Sequence, residues 1–96
     1  MSNTKAEGIL FKTDKTTETI VFKGENASLE ELQKLVGGYI ELIYLKDENV
    51  LVVNEDGKSN NLDYNELATA EMISKGNNEG DFVVGDALLI NLQYID

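Results

Sequence analysis

Carboxylates, lysines and tyrosines supply nearly all the chemistry in this chain: 18 Asp and Glu, 8 Lys, 4 Tyr, and no cysteine or histidine. Without thiols there is no disulfide frame, thiolate nucleophile or thiolate metal site. Without imidazole the commonest acid/base group near neutral pH and the commonest metal ligand are also missing. An active site would have to be built from Asp, Glu, Lys, Tyr or Ser, and no constellation of these stands out. The sequence therefore reads as that of a non-enzyme that needs no cofactor.

The groupings that remain are weighed against ordinary structural uses. Asn54-Glu55-Asp56-Gly57-Lys58 partly matches a calcium loop. Its first ligand position would be Val52, which cannot coordinate, and its last would be Asp63 in place of Glu. A polar hairpin turn at Asp56-Gly57 is the preferred reading. Gly37-Gly38 follows a helix instead of preceding one, so it ends that helix and does not cradle phosphate. Asn65 and Thr69, one turn apart, can present hydrogen bonds to a ligand or brace local backbone. Tyr39, Tyr44 and Tyr64 can stack on a ring or simply pack.

Charge narrows the partners. The formal net charge is −10, and all eight basic residues are lysines. Arginine supplies the planar fork that grips phosphates and guanine edges, so direct nucleic-acid binding is not expected. The acids are spread along the chain; on one face they would resemble duplex DNA, and otherwise they form a solvated surface. A basic partner suits this charge better than an anionic one. No apolar run approaches the ~18 residues that cross a bilayer, and MSNTKAEG has no signal-like apolar region. No membrane contact and a cytoplasmic location in a host cell are expected.

These residues must be positioned by a single small domain of 96 residues with 42% hydrophobic content. Residues 1–6 read as a flexible leader and 7–96 as the domain. Glu7–Thr13 and Glu18–Lys23 form a hairpin. Ser28 with Glu31 is a capping box that opens a helix whose apolar face is Leu29, Leu32, Leu35 and Val36. Tyr39–Leu45 and Val50–Val53 are strands, the latter central. A second helix starts near Asp63, with Glu66 as its capping-box partner and Tyr64, Leu67, Ala68 and Met72 on one face. Lys75–Gly80 is a surface loop, and Phe82–Val84 and Ala87–Tyr94 close the chain as strands around Gly85-Asp86. The fold class is α+β: a mainly antiparallel sheet of 5-6 strands with one or two helices on one face, in the order β-β-α-β-β-α-β-β.

Four blocks in this order carry a resemblance. The first is Leu29, Leu32, Gln33, Val36, Gly37, Gly38, Ile40 and Glu41; the second is Asn54, Glu55, Gly57 and Lys58. The third is Leu62, Asn65, Glu66, Ala68 and Thr69, and the last is Val84, Gly85, Asp86 and Leu88. Together they resemble a family of small phage- and plasmid-encoded proteins known only as domain of unknown function 3846. The similarity spans about Leu29–Ile90. The family's usual Leu-Pro before the asparagine block is Leu62-Asp63 here, which implies a differently built turn. The resemblance implies a mobile-element origin and no particular activity.

The candidate ligand or partner contacts are Tyr39, Glu41, Asn54, Glu55, Asn65, Thr69 and Asp86. The leading expectation is an acidic accessory protein that binds a host protein with a basic surface, with anti-defence inhibition as one form. The alternative is a protein that binds or sequesters a small molecule such as a signalling nucleotide, with homo-oligomers compatible with either.

Overall fold

In the computed structural model, which describes residues 4–76 and 80–95, the alternating segments resolve into one antiparallel sheet. β1 (Glu7–Phe11) and β2 (Thr17–Val21) form the expected hairpin. Its turn is held by the Asp14 carboxylate, which accepts from the Thr16 backbone N–H at 3.0 Å. β3 (Ile40–Tyr44), β4 (Asn49–Asn54) and β5 (Ala87–Asn91) complete the sheet, with strand order β2-β1-β5-β4-β3. Every neighbouring pair is antiparallel.

β4 explains its own continuous apolar run. Val50 and Val52 point to one face, under α1 (Leu29–Val36), and pack with Leu10, Leu32, Val36, Leu88 and Ile90. Leu51 and Val53 point to the other, under α2 (Glu66–Gly76), with Ala68, Met72 and Val83. The strand is buried on both sides, so side-chain alternation brings no alternation of polarity. The α+β class stands, with five strands among the described residues, but the helices do not share one face as expected: α1 covers one face and α2 the other, because β4 is apolar on both. Gly8 in β1 meets β5 closely, because a Cβ there would lie 2.8 Å from the Leu89 carbonyl oxygen.

α1 begins as its capping box requires. Ser28 Oγ accepts from the Glu31 N–H at 3.1 Å, and Glu31 Oε1 accepts from the Ser28 N–H at 3.1 Å. Gly37, at φ +79°, ends the helix. The apolar stripe is narrower than expected: Leu32 and Val36 are buried and Leu35 is partly so, whereas Leu29 is 58% exposed.

Several boundaries differ from expectation. Ala6 is fully buried and its backbone pairs with Phe22 and Gly24, so the domain begins inside the expected leader. Residues 1–3 of that leader lie outside the described residues. The second helix starts at Glu66, not near Asp63, because Asn65 caps it: Asn65 Oδ1 accepts from the Ala68 N–H at 2.9 Å. Tyr64 consequently lies outside the helix and is 54% exposed. Lys75 and Gly76 belong to α2 and not to a loop; residues 77–79 of the expected loop lie outside the described residues. Phe82–Val84 forms no strand, and only a lone bridge joins Val84 to Tyr64. β5 stops at Asn91, where the Asn91 side chain accepts from the Gln93 N–H and starts a 3-10 turn over Leu92–Tyr94. Asp56-Gly57 is not a two-residue hairpin either. Residues 55–61 run as successive turns, and Gly57 is buried where a Cβ would come within 2.9 Å of Val84.

Candidate functional site

A groove of about 420 Å³ lies beside the β3 edge of the sheet, on its α2 face. Register places Glu41 opposite Val53 and Ile43 opposite Leu51, so Glu41 and Ile43 project to that face. Ile43, Val53 and Val83 supply an apolar floor and Phe82 a wall. Glu41, Glu55, Lys58 and Asp81 are the charged residues around it among the described residues.

Lys58 and Asp81, far apart in sequence, meet at 2.6 Å. The Lys58 ammonium also lies 4.4 Å from the centre of the Phe82 ring, and Tyr64 flanks that ring at 6.1 Å. Hydrogen bonding from Lys58, then from the Phe82 N–H, holds the Asp81 carboxyl below the usual carboxylate range. Asp81 is therefore ionised at neutral pH. Because both side chains are about half exposed, the ion pair orients groups and adds little stability. It also ties the 81–84 segment to the turns that follow β4.

The expected contact residues separate into two groups. Glu41 and Glu55 are exposed and line the groove. Tyr39 is 68% exposed but borders a second, smaller concavity of about 220 Å³ with Gly37, Gly38 and Asn60. Asn54 touches both concavities, but its polar atoms are engaged within the fold. Its Nδ2 donates to the Val36 carbonyl at 3.0 Å, and its Oδ1 accepts from the Asp56 N–H at 2.8 Å. It fastens the end of α1 to the end of β4, which also removes it from any calcium-like ligand set.

Asn65 and Thr69 are buried and their hydrogen bonds are taken. Asn65 Nδ2 donates to the Phe11 carbonyl at 2.8 Å and the Gly85 carbonyl at 2.9 Å, while its Oδ1 caps α2. Thr69 Oγ1 accepts from the Val83 N–H at 2.8 Å. These two residues brace β1, α2 and the 83–85 segment against one another. Asp86 does similar work, its carboxylate accepting from the Thr13 N–H at 3.1 Å.

Sequence reasoning missed Lys58, Asp81 and Phe82 as a unit. Lys58 lay in a matched block, but nothing local indicates that a turn lysine reaches an aspartate 23 positions away. Among the described residues, the groove has an apolar floor and a wall aromatic, with Glu41, Glu55, Asp81 and Lys58 around them. Among the described residues no cluster of three or more acidic side chains is close enough to hold a metal ion, and no helix is long and apolar enough to cross a membrane.

The family model described as Domain of unknown function (DUF3846) matches residues 6–94, from the start of the first strand ladder to the final 3-10 turn. No curated protein and no solved structure matches the chain.

Proposed function

This chain belongs to the DUF3846 family, and on that premise we propose that it is a non-enzymatic, acidic accessory protein of a phage or other mobile element, acting by binding a host protein with a basic surface. Its place of action is the host cytoplasm, and inhibition of a host defence component is one form this activity takes. The observation that carries the reading is the groove beside β3, where Glu41, Glu55 and Asp81 surround apolar side chains and Lys58 is the sole cation among its described lining residues. An apolar centre with a charged rim is the usual anatomy of a protein interface. The net charge of −10 adds long-range attraction for a basic partner and repels acidic ones. The missing cysteine and histidine support a role without catalysis.

The alternative, sequestering a small anionic ligand such as a signalling nucleotide, loses two of its expected contacts. Asn65 and Thr69 are buried and bonded within the fold. The groove presents more carboxylates than cations, and the chain has no arginine for phosphate.

The test is capture from bacterial lysate on the tagged protein, eluted by a salt gradient and identified by mass spectrometry, beside a Glu41→Lys/Glu55→Lys double variant. One basic protein, retained stoichiometrically by the wild type, released at moderate salt and lost from the variant, is the expected result. A column empty even at low salt, or equal retention by both forms, overturns the reading.

A further inference from the structure

β3 is an edge strand, and the direction of its free backbone groups follows from its register. The Glu55 N–H donates to the Tyr39 carbonyl at 2.8 Å and the Leu45 N–H to the Asn49 carbonyl at 3.0 Å. Antiparallel ladders alternate bonded and non-bonded pairs, so residues 39, 41, 43 and 45 turn their backbone groups toward β4. Ile40, Leu42 and Tyr44 then aim their N–H and C=O groups away from the sheet. Lys46 continues that series, and its N–H donates outward, to the Lys75 carbonyl near the end of α2, at 2.8 Å. Among the described residues no hydrogen bond reaches the outward groups of Ile40, Leu42 or Tyr44. The acidic groove runs beside this same strand, lined by residues 41–44.

We propose that the β3 edge takes up an extended, Lys- or Arg-containing segment of a partner protein as a sixth strand, with alternate side chains entering the groove. This locates the partner of the proposed function and rests on that reading. Added strands gain affinity from main-chain hydrogen bonds and specificity from every second side chain. A partner residue opposite Glu41 points to the α2 face, where a cationic end meets Glu41 and the neighbouring Glu55 and Asp81. The next residue on that face lies opposite Ile43, where an apolar side chain meets the groove floor. A second copy of this chain suits the edge poorly: it carries the same −10 charge and would bring another Glu41 to the same groove.

The test selects from a displayed random 12-residue peptide library on the immobilised full chain at low salt, then maps synthetic winners by NMR. Enriched peptides should carry a Lys or Arg and an apolar residue two positions apart, so that both side chains fall on the groove face of the added strand. The amides of Ile40, Leu42 and Tyr44 should shift and exchange more slowly. N-methylation of alternate peptide amides, which leaves charge unchanged, should weaken binding at least about tenfold, as expected for loss of two or three hydrogen bonds. Tyr44→Pro removes one outward donor at an exposed edge position that tolerates proline, and should also weaken binding, with the fold retained. Basic peptides that ignore both N-methylation and Tyr44→Pro, or that map elsewhere, overturn strand addition while leaving the basic-partner reading intact. A library that yields no basic binder also overturns strand addition, and the lysate capture then decides the broader reading by itself.

Discussion

Asn65→Ala should be among the most damaging single substitutions of a polar residue in this chain. Asn65 is fully buried, and its side chain makes three hydrogen bonds to backbone that is distant in sequence or at a helix start. Loss of the cap on α2 costs about 1 kcal/mol. Each carbonyl deprived of its donor, partly buried at Phe11 and buried at Gly85, adds about 1–3 kcal/mol. The sum is about 3–7 kcal/mol, with the lower half favoured because a carbonyl can keep a second partner on its other lone pair. A domain of this size holds only about 5–14 kcal/mol in all. A melting point lower by at least about 12 °C is therefore expected, at about 4–8 °C per kcal/mol. The assay is urea unfolding followed by circular dichroism, with thermal melts in parallel. The midpoint should fall while the slope stays constant, since the same surface is exposed on unfolding. Asn65→Ser retains a cap oxygen but no amide donors, so it should recover about 1 kcal/mol of the loss. A fall of less than about 1 kcal/mol for Asn65→Ala would refute the bracing role and return Asn65 to the set of candidate contacts.

Three further outcomes are expected. Gly8→Ala places a methyl group 2.8 Å from the Leu89 carbonyl oxygen, a backbone atom that cannot swing aside, and should cost about 1–3 kcal/mol in the same urea assay. Ser28→Ala removes half of the capping box and should lower stability by about 1 kcal/mol without altering groove binding, checked by melts and peptide titration. Thermal melts against pH should show a plateau between about pH 5 and 10, with no step near pH 6.5 where histidine would titrate. On the acid side, Glu31 is held low by Ser28, Asp14 by Thr16 and Asp81 by Lys58. Their folded pKa values lie below the unfolded ones, so this stability is present above about pH 4 and disappears as pH falls through the lowered values. On the alkaline side Lys12 is raised by Glu18 and Lys75 by Glu71, so their contribution is complete below about pH 10 and disappears as pH rises through the raised values. A melting point that rises on acidification below pH 4 would contradict these assignments.

Local signals in the chain were sufficient for α1 and for the strand β4. Ser28 with Glu31 sets the start of α1 and Gly37 its end, because both devices act within one turn of backbone. The valine-rich run of β4 identifies a central strand, since only a strand covered on both faces can be apolar at every position. Composition alone established the acidity and the absence of thiol and imidazole chemistry. Whether Asn54, Asn65 and Thr69 would be contacts or braces depended on long-range partners. An amide that binds a ligand and one that fastens Val36 or Gly85 look alike in sequence. The start of α2 was misplaced for a related reason: Asp63 with Glu66 imitates a capping box, while Asn65 caps alone and is held in place by Phe11, Gly85 and Val83. Tertiary structure alone decided the helix on each face, the meeting of Lys58 with Asp81 and Phe82, and the open β3 edge beside their groove. Sequence periodicity records which residues must be covered, whereas chain topology decides what covers them and which edge is left free.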